Sequence, residues 1–510
     1  MIFLYINAII SGFLLTSLFP KYDFWFLSVF ALVPYFATLI YKNNKLKLYH
    51  VFLSALLLGL TWNLSSIWWM NYVSPLATLA LSLFVTILLA ISITIGSRLT
   101  IKGVPYWLSF TAAWMVYETL STYFLTGFPW FLLGYSWRKL VVMIQISDLA
   151  GPYAVSFLIV FFNTAVAQII SARLKREKVN FSPLAAAFFL AVLYCIYGTI
   201  AIGRLKNEVY VEKINIACIQ AFIPSLVKHD PNRNVEILKT YSELTIKASK
   251  KKPDLIIWPE TALPGYYFDK RITYNVVTNL VKYVDIPLMT GLCRRDISAD
   301  YYLNYYNSVG LIEPAGNVIG LYDKMHLVMF GEYVPYAKYL PFLKLLTPID
   351  GSFSCGSGAR TLAITIKTNT FEFGPLICFE DVFGYLAREM ARAGADILVN
   401  LTNDGWFRDS PQPYQHAYIS AFRAIETRRP LIRSTNSGIT TYINRYGKTV
   451  ALLKKNGKSV DVSGIMYVEV PIYKRKNTLY TKFGDWFLTG WCIIAGILVI
   501  GTIRSVVRNP

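Results

Sequence analysis

Eight stretches of the chain are apolar over the length a helix needs to cross a membrane. They lie at about 2–19, 24–41, 51–71, 76–96, 104–124, 151–170, 183–202 and 484–503, each near the ~20 residues that span bilayer hydrocarbon. Of the 510 residues, 55% are hydrophobic, and much of that content falls before residue 204, which reads as membrane and not as one large soluble core. The expected architecture is a multi-pass α-helical membrane domain of seven helices over residues 1–203, a separate domain over 211–473, and an eighth membrane helix at 484–503. The first span lacks a basic leader and a clear small-residue cleavage site, so it reads as a retained helix and not as a signal peptide.

Charge sets the expected orientation. The net charge is +20, yet the basic residues form no single long tract of the kind that would suggest nucleic acid. They fall in short clusters beside the apolar spans, where anionic lipid head groups and topology account for them. With the N-terminus inside, the inner loops carry Lys42, Lys45, Lys47, Arg98, Lys102, Arg173, Lys175, Arg176 and Lys178, and the inner tail adds Arg504 and Arg508. The outer loops carry only Lys21, Arg138 and Lys139. Seven crossings then put residues 204–483 on the outer face and both termini on the inner one. Within the spans, Glu118 is the odd residue; an acid at that depth serves either function or helix packing. The stretch Thr126–Ser136, with Gly127, Pro129, Trp130 and Tyr135, reads as an interfacial aromatic belt or as a mouth for lipid.

Residues 211–473 carry a different pattern. Strand-like runs at Ile214–Gln220, Asp254–Trp258, Pro287–Leu292, Asn307–Ile312, Glu372–Ile377, Asp396–Asn400 and Leu431–Ser434 alternate with helical stretches at Asn232–Lys250, Thr273–Val284, Gly384–Ala393 and Gln412–Thr427. Such alternation predicts a layered α/β fold. The Asn456-Gly457 pair marks a turn near its end. The six cysteines, at 195, 218, 293, 355, 378 and 492, show no CxxC or CxxH spacing, so neither a zinc motif nor a disulfide framework is indicated.

Three polar residues end strand-like runs in this block, and α/β folds build sites at strand ends. Glu260 follows Leu255-Ile256-Ile257-Trp258-Pro259, Lys324 follows another such run, and Cys378 closes Phe373–Ile377. A thiol there, facing the start of a helix near Phe383, is expected to gain thiolate character from backbone N–H groups and the helix dipole. A carboxylate can take its proton and return it to a leaving group, and an ammonium can hold an oxyanion. Each residue alone reads as easily as a core cysteine, a surface acid or a salt-bridge lysine. Asn307 and Asn403 are candidate site-lining amides, with Phe379 and Trp406 beside them. His326 and His416 are expected to orient a loop and to pack on a helix, respectively.

Together the three resemble the Glu–Lys–Cys triad of the nitrilase superfamily, and the surrounding words narrow it. Trp258-Pro259-Glu260-Thr261-Ala262-Leu263-Pro264, Lys324-Met325-His326-Leu327-Val328, Phe330-Gly331-Glu332-Tyr333-Val334-Pro335 and Cys378-Phe379-Glu380 resemble motifs of the apolipoprotein N-acyltransferase family. So do Asn403-Asp404-Gly405-Trp406-Phe407, Gln415-His416, Arg423-Ala424-Ile425-Glu426, Thr435-Asn436-Ser437-Gly438, and the membrane words at Thr126–Trp130 and Leu133–Ser136.

The resemblance implies an α-β-β-α sandwich held at the outer face of a bacterial inner (cytoplasmic) membrane. It implies acyl transfer in two steps: Cys378 takes the acyl chain of a membrane phospholipid as a thioester, then passes it to the amino group of the diacylglyceryl-cysteine of an apolipoprotein. Glu260 would be the base and then the acid, Lys324 the charge stabiliser, with Glu332 and Glu380 in support and no metal or other cofactor. Three positions depart from the family pattern: Phe379 stands where tyrosine is usual, His229 where tryptophan is, and Met329 where proline is. Tyr336–Ser354, rich in Leu, Phe and Pro, reads as a lid or as a packed apolar loop. A membrane-tethered amidase, releasing the thioester to water, and a non-catalytic lipid-binding or transport protein are the other classes these residues allow.

Overall fold

The computed structural model describes residues 1–508 apart from 43–44, 229, 270, 298–302, 336–338 and 340–351. His229 and nearly all of Tyr336–Ser354 therefore lie outside the described residues. The chain divides into two compact units, one of residues 1–71, 75–204 and 483–510 and one of 72–74 and 205–482.

The first unit is helical. Its helices are α1 (Ile2–Ser17), α2 (Val33–Lys42), α3 (Leu48–Ser66), α4 (Pro75–Ile101), α5 (Tyr106–Tyr123), α6 (Tyr153–Lys175), α7 (Ser182–Asn207) and a C-terminal helix, Trp486–Arg508. Every expected span carries a helix. Among the described residues, six helical segments are long and apolar enough to cross a membrane: Trp25–Lys42, α3, α4, α6, α7 and Trp486–Ile503. The remaining two are α1, with 16 residues, and α5, with 18 residues and Glu118 in its middle. Small residues let the helices approach closely, as apolar surroundings require. A Cβ on Gly12 of α1 would lie 2.7 Å from Thr61 Cβ of α3. The outer faces of α7 and the C-terminal helix stay apolar, with Phe188, Phe189, Ile196, Ile493 and Ile497 exposed.

The aromatic stretch after α5 does not form an exposed belt. Residues 129–137 turn inward as two short 3₁₀ segments, with Trp130, Leu133, Tyr135 and Trp137 buried. Backbone buried this way needs partners. Glu118 supplies one: its Oε1 accepts from Leu133 N at 2.9 Å and from Trp114 Nε1 at 3.0 Å. Ser156 Oγ accepts from Gly134 N at 2.8 Å. Glu118 is thus a packing brace for this segment.

The second unit holds two six-stranded sheets. The first runs β12-β1-β2-β3-β4-β5 and the second β11-β10-β9-β8-β7-β6. Its strands are β1 (Glu212–Gln220), β2 (Leu255–Ile257), β3 (Leu288–Ile297), β4 (Leu303–Ile312), β5 (Val318–Asp323), β6 (Leu362–Ile366), β7 (Asn369–Ile377), β8 (Ile397–Thr402), β9 (Leu431–Thr435), β10 (Thr441–Ile443), β11 (Thr449–Leu452) and β12 (Gly464–Ile472). In each sheet three parallel strands, β1–β3 or β7–β9, sit at the centre with antiparallel neighbours outside.

The sheets meet face to face: Thr435 Oγ1 donates to Gln220 Oε1 at 2.9 Å and Ser434 Oγ to the Ile257 carbonyl at 3.3 Å. Helices α8 (Asn234–Ser249) and α9 (Arg271–Val284) cover the first sheet, while α10 (Gly384–Arg392) and α11 (Gln412–Thr427) cover the second. Tyr241 of α8 stacks on Trp258, with ring centroids 4.7 Å apart. The result is a helix–sheet–sheet–helix sandwich. Strands β8 and β9 are buried along their whole length and β7 over residues 373–377, because both faces of the central strands are covered. At Asn456-Gly457 both residues have positive φ, 52° and 78°, closing the tight turn that the pair predicts.

Candidate active site

Three strand ends converge. Glu260 lies beyond β2, Lys324 one residue after β5, and Cys378 directly after β7. Lys324 is 1% exposed, with its Nζ 2.9 Å from Glu332 Oε1 and 3.8 Å from Glu260 Oε1. Burial alone would lower its affinity for a proton, but the carboxylates of Glu332 and Glu260 outweigh that and hold it above the usual lysine range. The ammonium is fixed in charge and place.

Asn307 of β4 bridges the two acids: its Nδ2 donates to Glu260 Oε1 at 2.8 Å and to Glu332 Oε1 at 3.0 Å. It is buried and braces the two carboxylates. Glu332 Oε2 also accepts from Val328 N at 2.9 Å. That contact closes the turn that contains Met329, where Phe330 takes a φ of 61°.

Cys378 is half-buried at a φ of 52°, in the left-handed region that a non-glycine residue enters at a cost. It begins a five-residue 3₁₀ turn, Cys378–Val382, and α10 starts only at Gly384. The helix-dipole argument for a ready thiolate is therefore weak here. Burial, then the charge of Glu260, push the thiol above the usual range, and Lys324 offsets only part of that. These surroundings favour the protonated thiol, where the sequence suggested thiolate character.

Glu380 ties the nucleophile turn to the lysine loop. Its Oε2 accepts from Ile377 N at 2.7 Å, and its Oε1 from Met325 N at 2.7 Å and His326 N at 3.0 Å; Tyr322 OH lies 2.9 and 3.0 Å from the two oxygens. Burial raises its pKa to about 7, against the pull of the Ile377 N–H and the Lys324 charge.

The other expected residues make packing or bracing contacts or stay exposed. Phe379 packs edge-on to Phe383 at 5.1 Å. Asn403 accepts from Asn436 Nδ2 at 3.0 Å and from Gly405 N at 3.3 Å, bracing a loop. Trp406 is 43% exposed. His326 bonds Tyr385 OH through Nδ1 at 2.8 Å. His416 faces two aspartates, Asp381 and Asp404.

Sequence reasoning did not reach three further residues. Asn400 Nδ2 donates to the Cys378 carbonyl at 2.9 Å; its signal is a lone amide within the apolar strand β8. Lys228 Nζ donates to the Glu260 carbonyl at 3.0 Å, its pKa lowered to about 8 by burial against the pull of Glu260. Gly291 lies so close beneath residues 259–261 that a side chain would not fit. Among the described residues, no group of three or more His, Cys, Asp or Glu is placed to hold a metal ion.

Two facing sheets with an acid, an amine and a thiol at their strand ends define a carbon–nitrogen hydrolase class of domain, and the carbon-nitrogen hydrolase family model matches residues 215–472. A second model, the apolipoprotein N-acyltransferase N-terminal domain, matches residues 11–165. The apolipoprotein N-acyltransferase of Geobacter metallireducens is 36% identical over 79% of this chain and 75% of its own length. That of Bdellovibrio bacteriovorus is 31% identical over 84% and 79%. Among solved structures, Saccharomyces cerevisiae Nit3, a member of branch 10 of the nitrilase superfamily, aligns over 52% of this chain and 92% of its own at 19% identity and a TM-score of 0.39. The chain belongs to the apolipoprotein N-acyltransferase family.

Proposed function

We propose that this chain moves a fatty acyl group from a membrane phospholipid to the N-terminal amine of a diacylglyceryl-cysteine apolipoprotein, by way of a thioester on Cys378. The observation that carries the reading is the convergence of Glu260, Lys324 and Cys378, with both acids near the lysine anchored by Asn307.

Glu260 takes the thiol proton as sulfur attacks the ester carbonyl, and Lys324 balances the oxyanion that forms. When the tetrahedral intermediate collapses, the C–O bond breaks and Glu260 returns the proton to the departing lysophospholipid oxygen. The acceptor amine then attacks the thioester carbonyl, losing a proton to Glu260. The C–S bond breaks and the sulfur recovers a proton, leaving an amide. A protonated resting thiol suits this scheme, because the thiolate appears only when an acyl group is in place to receive it.

Eight crossings, with both termini inside and the catalytic unit on the outer face of a bacterial inner membrane, fit the loop charges: eleven of the fourteen basic residues named above fall on the inner side under that arrangement. A helix of 16 residues such as α1 reaches about 24 Å and fits a locally thinned bilayer.

The test incubates the purified protein with phospholipid and then with a diacylated lipopeptide. Mass spectrometry should find an acyl adduct on Cys378 that the lipopeptide discharges as N-acylated product. Cys378→Ala should give neither while still inserting into membranes. Absence of the adduct in the wild type would sink the proposal, and discharge to free fatty acid alone would make the protein a hydrolase.

A further inference from the structure

Beneath the nucleophile turn lies a buried polar cluster that the acyl-transfer scheme does not use. His416 of α11 stands between two carboxylates: its Nε2 is 2.7 Å from Asp381 Oδ1 and its Nδ1 is 3.0 Å from Asp404 Oδ1. All three side chains are buried, as is Arg433 of β9. Arg433 bonds Asp381 Oδ2 and Ser420 Oγ through Nη1, and its Nη2 lies 3.6 Å from Asp404 Oδ2. Ser420 Oγ also donates to Asp381 Oδ2 at 2.6 Å, and Gln412 Nε2 to Asp404 Oδ1 at 3.0 Å. The other charged pair on α11, Arg423 with Glu426, also reaches this turn: Arg423 Nη1 donates to the Val382 carbonyl at 2.6 Å and to the Asp381 carbonyl at 3.4 Å, while Glu426 balances its charge.

A neutral imidazole carries one N–H. With an ionised carboxylate against each ring nitrogen, one contact would set lone pair against lone pair. If both nitrogens donate, both contacts are charge-assisted hydrogen bonds. The balance of charge agrees: two buried carboxylates facing one guanidinium leave an uncompensated negative charge, which burial strongly disfavours. A second cation closes that gap, and His416 stands where it is needed.

We propose that His416 is held as an imidazolium and is a positioning residue for the acyl-transfer chemistry. Asp381 belongs to the turn that begins with Cys378, and Asp404 to the turn after β8. The doubly donating ring clamps these two turns together, and its charge cancels the negative field that Asp404 casts on the thiol. Burial favours the neutral ring, but the two carboxylates prevail and raise its pKa.

The kinetic part of this inference rests on Cys378 as nucleophile; the charge state of the ring does not, so the two are tested separately. The chain has four histidines, and a ¹⁵N-histidine-labelled sample in detergent allows the His416 ring to be assigned by its loss in His416→Gln. Both ring nitrogens should carry protons at pH 7, above the range in which an ordinary imidazole is charged. A single protonated nitrogen at pH 7 would overturn the imidazolium.

Alkylation of Cys378 by iodoacetamide, followed by peptide mapping across pH, reads the clamp. A unit charge removed about 10 Å away, at an effective dielectric of about 20, moves a thiol by about one pH unit. The midpoint should therefore rise by about one unit in His416→Gln. It should return toward the wild-type value in His416→Gln with Asp404→Asn, which restores the charge balance. Folded variants with an unchanged midpoint would reduce His416 to packing and end the proposal. If Cys378 is alkylated as described yet never carries an acyl group, the acyl-transfer scheme fails while the imidazolium stands.

Discussion

Replacing Gly291 by alanine should silence the site without unfolding the protein. The Cβ would lie 2.5 Å from the Pro259 carbonyl oxygen, 2.5 Å from Thr261 N and 2.6 Å from Glu260 Cα. Each is backbone and has no rotamer to yield. Reaching ordinary contact at 3.4 Å requires a displacement of about 0.9 Å. Three bonds fasten Gly291 to this loop, Gly291 N to the Pro259 carbonyl at 3.1 Å, and Ala262 N and Leu263 N to the Gly291 carbonyl at 2.9 and 3.4 Å, so the loop that bears Glu260 moves or the bonds break.

Overpacking of this kind costs about 1–3 kcal/mol, which a folded domain tolerates. A misplacement of about 1 Å in a catalytic group costs about 100-fold in rate. Gly310→Ala is the control, because its Cβ would meet only the far end of the Leu292 side chain, at 2.8 Å, which can rotate away. Formation of the acyl adduct on Cys378, timed by mass spectrometry, should fall about 100-fold in Gly291→Ala and less than about fivefold in Gly310→Ala, with both proteins melting cooperatively. Wild-type adduct formation in Gly291→Ala would refute the reasoning.

Two further outcomes follow from the same geometry. Asn307→Asp puts a third carboxylate against Glu260 and Glu332 and removes two charge-assisted hydrogen bonds worth about 1.5–3 kcal/mol each; adduct formation should drop by at least about 100-fold, with a lower melting temperature. Glu380 is a carboxyl whose folded pKa, about 7, lies above its unfolded value near 4.5. The folded state therefore binds its proton more tightly, and the associated stability is fully present below about pH 4.5 and is lost as pH rises to about 7. That difference amounts to about 3 kcal/mol. Denaturant melts from pH 4.5 to 8 should show this component in the wild type and lose it in Glu380→Gln; equal pH slopes would contradict it.

What could be read from the sequence was what lies along one strand. Glu260 and Cys378 each close an apolar run on a central parallel strand, covered on both faces, whereas Lys324 follows the partly exposed edge strand β5. Strands β6, β10, β11 and β12 went unnamed, since they lie outside the parallel centre and are shorter, alternating or half-exposed: β6 alternates buried and exposed residues along Leu362–Ile366. The bracing residues were harder still. Asn307 meets Glu260 across 47 positions and His416 meets Asp381 across 35; no spacing rule connects such pairs. Gly291 has no side chain to attract notice, and its role is the room it leaves. The thiol expectation failed for a different reason. The helix does begin next to Phe383, at Gly384, but a short turn separates it from Cys378, and the expectation left out the cost of burying a charge.

Glu260 and Lys324 hang from one sheet, and the Cys378 sulfur hangs from the other. Their alignment therefore depends on two slabs that are not continuous with each other. Glu380 acts as the rivet, gripping three backbone amides and a phenol drawn from both sides. Sliding one slab over the other would shear that fastening and scatter the reacting groups together.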